Sequence, residues 1–252
     1  MNAHSFSFII GYRHSIDRLH NLRRVLDWIN GFSHVDVILV EQDTHSKISH
    51  LNLKCRHIFL KSDAPYNRSW AFNIGVKNSK AEAIVFSDSD LIMNPHDFVT
   101  AIRELENFEM VNPYKSVLDL QPQESGLPLE ELLKIDRPGR GENDNQKINL
   151  CGGISMFRRD AIRKIGGWNE AFIGWGGEDD FQAIKVANFL THKELEYKCY
   201  HLFHNRENPD MRHYQKNLQI LQQSASLSKE DLIKSINASL PKMGMSNKYD
   251  NF

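Results

Sequence analysis

Residues 174–180 read Gly-Trp-Gly-Gly-Glu-Asp-Asp, and their types and spacing indicate a ligand site. Glycine lets a backbone bend sharply and approach a ligand closely, and the flat apolar face of tryptophan suits a sugar ring as well as a core. Three adjacent carboxylates, Glu178, Asp179 and Asp180, repel one another and suit acid–base catalysis or cation binding. An acidic first turn of a helix explains the acids alone, but we interpret the whole run as a substrate site.

A second set of candidate ligands comprises Asp88-Ser89-Asp90, His201 and His204. Two carboxylates at positions i and i+2 of a turn can hold hard oxygens near a divalent cation and a nucleotide sugar, although turns favour aspartate anyway. Two imidazoles three residues apart suit manganese or zinc if they share one helical turn or bend. Each segment alone is weak evidence, whereas the two together predict a metal site.

Tyr12, Arg13 and Arg68 are candidate contacts to phosphate and base. The planar fork of arginine suits a diphosphate. Surface ion pairs are the alternative explanation for each arginine taken alone.

Short apolar runs predict strands, and apolar residues at helical spacing predict helices between them. The predicted strands are 6–10, 35–40, 55–60 and 83–86, and the predicted helices are 19–29 and 69–77. This alternation predicts an α/β sheet covered on both faces. Ligands bind such sheets at the carboxyl ends of the strands, so we expect Gly11, Glu41 and Asp88, each placed just after a predicted strand, to face one crevice.

The second half of the chain is less regular. Segment 115–149 contains prolines and a run rich in Gly, Asp and Asn, which predicts a long irregular segment. An apolar run at 152–157 and a helix at 158–164 follow, and amphipathic helices are predicted at 218–221 and 232–240, with 242–252 loose. We divide the chain into a main domain, 1–208, and a C-terminal helical extension, 209–252.

Composition narrows the class of protein. The 252 residues are 40% hydrophobic and 25% charged, as in a globular protein, and the net charge of −1 argues against a nucleic-acid partner. Cys55, Cys151 and Cys199 have neither zinc-site spacing nor a disulfide pattern, which favours a reducing cytoplasm. No run approaches the length of a membrane helix. We expect a cytoplasmic protein and leave open peripheral association with the inner face of the membrane.

These segments together resemble the GT-A-fold glycosyltransferases, family 2-like and most similar to the β-1,4-galactosyltransferase group with its C-terminal galactosyltransferase-like module. The resemblance spans about residues 6–208 and implies a mixed α/β sheet with helices on both faces. The matching blocks are Gly11-Tyr12-Arg13, Tyr66-Asn67-Arg68-Ser69 with Asn73-Ile74-Gly75, Asp88-Ser89-Asp90, Gly152-Gly153-Ile154-Ser155 with Gly166-Gly167-Trp168, Gly174 to Asp180, and His204-Asn205-Arg206-Glu207.

The resemblance implies a role for each matched residue. Asp90 and His204 would bind Mn²⁺ or Mg²⁺, with His201 where the family has methionine. Asp179 would be the general base, Glu178 would orient the acceptor, and Trp175 would contact sugars from a mobile loop. The implied nucleotide contacts are Tyr12, Arg13, Glu41 with Gln42, Tyr66, Arg68, Asp88 and Ser89, and the implied sugar contacts are Leu150, Gly153, Trp175, Gly176 and Gly177.

The predicted function is metal-dependent, inverting transfer of a sugar from UDP-galactose or UDP-GalNAc to a hydroxyl of a glycan or lipid-linked acceptor, in surface polysaccharide biosynthesis. Leu150 stands where the family has a tyrosine near the C2 substituent of the sugar, so an N-acetyl group should fit. Two alternatives stay open: a retaining or GlcNAc-type transferase on the same fold, and a nucleotide-sugar or glycan-binding protein without turnover.

Overall fold

The protein is described by a computed structural model over residues 5–142, 148–205 and 210–245, which form a large mixed sheet, a small sheet and flanking helices. The strands of the large sheet are β1 (Phe6–Tyr12), β2 (Val35–Asp43), β3 (Arg56–Lys61), β4 (Ala83–Ser87), β6 (Met110–Asn112), β8 (Ser155–Arg158) and β9 (His192–Glu194). Their order is β3-β2-β1-β4-β8-β6-β9. The first four pair in parallel, β8 is antiparallel to both its neighbours, and β6 and β9 are parallel.

The small sheet brings distant parts of the chain together. It consists of β5 (Leu91–Met93), β10 (Lys198–His201) and β7 (Ser116–Asp119), with β10 in the middle. β10 is antiparallel to β5 and parallel to β7, and His201 is opposite both Leu91 and Asp119. The end of β10 therefore lies beside the residues that precede β5.

Helices cover the sheets. Their bounds are α1 (Ile16–Ile29), α2 (Arg68–Asn78), α3 (Pro95–Arg103), α4 (Leu129–Leu132), α5 (Arg159–Lys164), α6 (Glu178–Phe189), α7 (Met211–Ala225) and α8 (Lys229–Ser239), with 3₁₀ turns at Glu104–Glu106 and Leu240–Lys242. None of the helices in the described ranges combines the length and the apolar character needed to cross a bilayer.

The large sheet is buried on both faces, as predicted. Phe8 and Ile10 of β1 pack into one cluster, whereas Ile9 packs into a second cluster with Phe72 and Trp168. Successive side chains of a strand point to opposite faces, so β1 contributes to both cores. The predicted α/β architecture is confirmed.

The predicted strand ends need correction. β1 and β2 run past Gly11 and Glu41, which pair within the sheet instead of following it. The Glu41 side chain is fully buried and accepts hydrogen bonds from Ser46 and from the backbone of Lys47, so the polar residue continues the strand without an unpaired charge. Of the three residues expected to follow strands, only Asp88 does so.

Segment 115–149 is also more regular than predicted. It contains β7 and α4, and the backbone of Arg140 pairs with that of Val117. Residues 143–147 of this segment lie outside the described ranges. The proline and glycine content hid these short elements, and pairing with β10 stabilises β7.

The C-terminal helices pack on the main body. Leu232 and Ile236 of α8 form a cluster with Phe172 and Phe181, which flank the start of α6. Beyond α8, Gly244 N–H donates to Glu170 Oε1 at 2.7 Å. The prediction that 242–252 is loose is therefore wrong for 243–245, and 246–252 lie outside the described ranges.

Candidate active site

The turn after β4 carries the Asp88-Ser89-Asp90 motif and meets the end of β10. Leu202 N–H donates to the Asp90 carbonyl at 2.8 Å, which joins this turn to the segment between His201 and His204. His201 is the last residue of β10 and His204 lies in the loop that follows. Of the predicted helical turn or bend, the helical turn is excluded, because the end of a strand and the loop after it bring both imidazoles to Asp90.

Asp90, His201 and His204 form a group with the chemistry of a divalent metal site. One ligand atom from each residue lies within 4.8 Å of the ligand atoms of the other two. Among the described residues, these three form the group of His, Cys, Asp or Glu side chains that could hold a metal ion. His204 Nε2 is 3.3 Å and His201 Nε2 is 3.8 Å from the Asp90 carboxylate. One carboxylate and two imidazoles suit manganese or zinc, so the residues fit the predicted metal.

The orientation of His201 is set by Asp119 of β7. His201 Nδ1 is 2.8 Å from Asp119 Oδ1, and Arg140 holds the same carboxylate with two bonds of 2.7 and 3.0 Å. Burial lowers the pKa of His201, but the bond to Asp119 and the charge of Asp90 raise it above its usual value. With the proton on Nδ1 directed to Asp119, Nε2 is available as a metal ligand beside the Asp90 carboxylate.

Arg68 joins the Asp88 turn to the acids of α6. Asn67 caps α2 by accepting from Trp70 N–H at 2.8 Å, which starts the helix at Arg68. The buried guanidinium donates to Asp88 at 2.7 Å and to Asp179 in a short ion pair, and lies 3.9 Å from Glu178. The candidate metal group and the acids of α6 are therefore separate, with Arg68 between Asp88 and Asp179.

The first turn of α6 presents Glu178 and Asp179 to the site. Gly177 precedes the helix in the left-handed conformation, with φ of 89°, which glycine adopts without strain. Asp179 has 26% of its side chain exposed and so can be reached by a substrate. The Glu178 Oε2 atom is buried, with no hydrogen-bond partner among the described residues. A buried carboxylate oxygen of this kind suits a hydroxyl donor from a ligand.

Burial raises the pKa of both acids. For Asp179, the positive charge of Arg68 lowers the pKa in part, Glu178 and Asp88 raise it again, and the result is about 8. The pKa of Glu178 is raised by burial and lowered in part by Arg68. A carboxyl group that titrates near neutral pH is well matched to general acid–base work.

Comparison with known proteins identifies the family. The family described as "Glycosyl transferase family 2" matches residues 18–166, more than half of the chain. The protein belongs to glycosyl transferase family 2. A second family, described as "N-terminal domain of galactosyltransferase", matches residues 143–204. The two matches together include Arg68, Asp90, Asp179, His201 and His204, so this family 2 protein is a glycosyltransferase.

Solved structures support the GT-A fold of this family 2 enzyme. The catalytic domain of Drosophila β1,4-galactosyltransferase 7 with xylobiose has a TM-score of 0.56 and 14% identity, covering 90% of this chain and 83% of that one. A mutant of the same enzyme with manganese, UDP-Gal and xylobiose has a TM-score of 0.52 and 16% identity, covering 81% and 72%. Staphylococcus aureus TarS, residues 1–349, has a TM-score of 0.58 and 15% identity, covering 98% and 73%.

In this family 2 enzyme the predicted nucleotide contacts Tyr12 and Arg13 lie at the end of β1. Tyr12 is buried, which raises the pKa of its phenol, and its hydroxyl is 3.1 Å from His14 Nδ1. Arg13 donates to the Ser62 carbonyl at 3.3 Å. Tyr66 lies close to Gly11, where a Cβ would collide with its hydroxyl. These residues border the same end of the sheet as Asp88.

Glu41 and Gln42 are already occupied by protein partners. Glu41 Oε2 is also 2.9 Å from His57 Nε2. The Gln42 side chain exchanges two hydrogen bonds with the backbone of Asn67, at 2.6 and 3.0 Å. In this geometry Gln42 supports the start of α2, and Glu41 orders the loop after β2. Contact between Glu41 and the base of the nucleotide stays a prediction. Ser89 is buried in the turn itself, where its nucleotide role is likewise a prediction.

The predicted sugar contacts lie on two loops. Gly153, with φ of 67°, packs so tightly on Tyr114 that a Cβ would collide with the phenol oxygen. Leu150 is partly buried in the turn before it. Trp175 is 65% exposed. Gly176 and Gly177 follow Trp175 and join it to α6. Asp180, for which no chemical role is predicted, accepts a 2.7 Å hydrogen bond from Asn149.

Several residues of the site belong to no motif in the sequence. Tyr114 donates its hydroxyl to the Gly152 carbonyl at 2.6 Å and fixes the glycine turn. Asp119 and Arg140 support His201, and Tyr214 and Asn217 of α7 contact the Trp175 loop. These residues reach the site through pairing between strands that are far apart in the sequence or through packing of the C-terminal helix. Arg206 and Glu207, the end of the last matching block, lie outside the described ranges.

Proposed function

We propose that this enzyme is a metal-dependent, inverting glycosyltransferase that moves galactose or N-acetylgalactosamine from a UDP-sugar to a hydroxyl of a glycan or lipid-linked acceptor. The observation that carries the proposal is the arrangement around Arg68, with Asp88 beside the metal group on one side and the α6 acids on the other. The Drosophila β1,4-galactosyltransferase 7 complex with manganese and UDP-Gal supports the choice of metal and donor. A role in surface polysaccharide biosynthesis, in the cytoplasm or at the inner face of the membrane, belongs to the same proposal.

The reaction follows from the placement of charges. Asp179 removes the proton of the acceptor hydroxyl, and Glu178 accepts a hydrogen bond that orients the acceptor. The attacking oxygen forms the new glycosidic bond as the bond to UDP breaks, and the single displacement inverts the anomeric carbon. Asp90, His201 and His204 would hold a divalent cation, which when bound supplies charge stabilisation for the diphosphate. Arg68 adds a fixed positive charge nearby.

The anomeric configuration of the product tests the inverting mechanism. With an α-linked UDP-sugar and a glycan acceptor, we expect a β-linked product, identified by the proton coupling constant of its anomeric signal in NMR. An α-linked product would support the retaining alternative and would remove Asp179 from the role of base in a single displacement.

Leu150→Tyr should narrow donor choice. Tyrosine adds bulk and a hydroxyl at the position implied to face the C2 substituent, so we expect the UDP-GalNAc to UDP-Gal ratio of kcat/KM to fall by about 10- to 200-fold. Leu150→Phe adds the aromatic ring without the hydroxyl, so it separates the effect of bulk from the effect of the hydroxyl. Steady-state UDP release with each donor measures the ratio. A ratio that stays unchanged in both variants would show that Leu150 does not border the sugar.

Asp119→Asn should weaken metal binding without removing a ligand. Loss of the carboxylate partner of His201 is expected to lower Mn²⁺ affinity by about 10- to 100-fold, because such outer partners fix the imidazole orientation. Titration calorimetry with MnCl₂ measures the affinity. Asp36→Asn is the matched control, because Asp36 pairs with the surface residue Arg56. Equal Mn²⁺ affinity in Asp119→Asn and the control would contradict the assignment of His201 as a ligand.

A further inference from the structure

The C-terminal helix α7 contacts the Trp175 loop directly, although α7 lies beyond both family matches. The indole of Trp175 stacks on the ring of Tyr214, with centroids 5.3 Å apart and an angle of 28° between the planes. Trp175 is nevertheless 65% exposed. Tyr214 therefore supports one face of the indole and leaves much of the side chain open to solvent.

Asn217, one turn further along α7, holds the backbone of the same loop. It is buried, whereas the other residues of α7 are exposed or partly buried. Its side-chain nitrogen donates to the carbonyls of Ile173 and Trp175 at 3.0 and 3.2 Å, and its oxygen accepts from Ile173 N–H at 3.3 Å. Three hydrogen bonds from one buried amide fix the loop on both sides of Gly174.

The close approach of the loop to α7 depends on glycine. Gly176 has φ of 100°, and a Cβ there would lie 2.9 Å from the ring of Tyr214. On its other side the loop is joined to Tyr66, whose carbonyl accepts from Gly174 N–H at 2.8 Å. Trp175 is thus held between α7 and the residues that precede Arg68.

The support for Trp175 and the proposed base share one packed unit. Ile220 and Leu221 of α7 pack against the cluster that contains Phe172 and Phe181, the latter within α6. α6 carries Glu178 and Asp179 in its first turn. The position of the indole is therefore fixed relative to the two acids proposed to act on the acceptor.

We propose that Tyr214 and Asn217 are positioning residues that hold Trp175 as a platform for the acceptor sugar, so that the C-terminal helix completes the acceptor site. This inference rests on the proposed function. Trp175 has an open aromatic face, and Glu178, three residues later, has a buried oxygen without a hydrogen-bond partner among the described residues. This pair of features suits a sugar ring that arrives from solvent. Arg68 and the Asp90, His201 and His204 group are more buried than Trp175, and the proposed function assigns them to the donor.

Tyr214→Ala, Tyr214→Phe and Asn217→Ala test the inference in the full-length protein. For Tyr214→Ala and Asn217→Ala we expect a rise of about 3- to 10-fold in the acceptor KM, with kcat and the Kd for UDP-sugar within about twofold of wild type. Tyr214→Phe keeps the stacked ring and should behave as wild type. Gln219→Ala, at an exposed position of α7, is the matched control.

Fluorescence quenching reports on the placement of Trp175, through its exposure to solvent, without requiring turnover. Trp70 and Trp168 are buried and Trp28 is partly buried, so acrylamide quenching reports mainly on Trp175, and Trp175→Phe defines its share of the signal. We expect a changed Trp175 quenching constant in Tyr214→Ala and a wild-type value in Tyr214→Phe. Unchanged quenching and unchanged acceptor KM in Tyr214→Ala would refute this inference alone. Failure of wild-type protein to transfer any sugar would refute the proposed function instead.

Discussion

Asp179→Asn is expected to lower the rate of sugar transfer by about 10²- to 10⁴-fold while binding of the UDP-sugar persists. Asparagine has nearly the same shape but cannot remove a proton from the acceptor hydroxyl. The donor is held by other groups, so its Kd, measured by calorimetry with UDP-sugar and Mn²⁺, should change little. Asp180→Asn is the matched control, because its carboxylate bonds Asn149. Unchanged transfer in Asp179→Asn would remove Asp179 as the base.

The pH profile gives a second readout for the same residue. A general base acts only when deprotonated, and the pKa of Asp179 is raised to about 8 by burial and by neighbouring acids, with Arg68 opposing the shift. The kcat/KM should therefore rise with pH up to about 8 and then level off. In Asp179→Asn this rise should be absent from the residual activity. A wild-type profile that is flat between pH 6 and about 9 would contradict the raised pKa as the control of the rate.

Asp90→Asn and His204→Ala are expected to abolish most of the activity and most of the Mn²⁺ binding. Asp90→Asn replaces the carboxylate of the metal group with a neutral amide, and His204→Ala removes one of its two imidazoles. A bound divalent cation contributes several kcal/mol to charge stabilisation, which corresponds to a loss of about three orders of magnitude in kcat/KM.

Thermal unfolding checks metal binding independently of turnover. Mn²⁺ should raise the Tm of the wild type, because a ligand that binds the folded state stabilises it, and should not raise the Tm of the two variants. His96→Ala, at a largely exposed position on α3, is the control and should respond as wild type. An equal Mn²⁺-dependent rise in Asp90→Asn would show that the ion binds elsewhere.

The proximity of some side chains in the candidate site was predictable because these residues are contiguous in the sequence. Asp88 and Asp90 share one turn, and Glu178 and Asp179 share the first turn of a helix. Local sequence therefore determines both their types and their proximity. The predicted two-sided sheet was also recoverable, since β1, β2 and β4 each contain a short run of consecutive apolar residues.

The remaining parts depend on contacts between distant segments. Asp119 meets His201 only because β7 pairs in parallel with β10, across 82 positions of the sequence. The pairing of Arg68 with Asp179 spans 111 positions. Glu41 reads as a residue after a strand, yet its protein partners let the strand continue through it. Periodicity carries no information about such partners.

The proposed function is tested most directly by measuring the release of UDP from a panel of UDP-sugars by the purified wild-type protein. The measurement is made with and without Mn²⁺ and with and without simple sugar acceptors. We predict UDP release that requires Mn²⁺, is highest with UDP-Gal or UDP-GalNAc, and increases with a suitable acceptor. The absence of stimulation by any UDP-sugar or metal would contradict the proposed function.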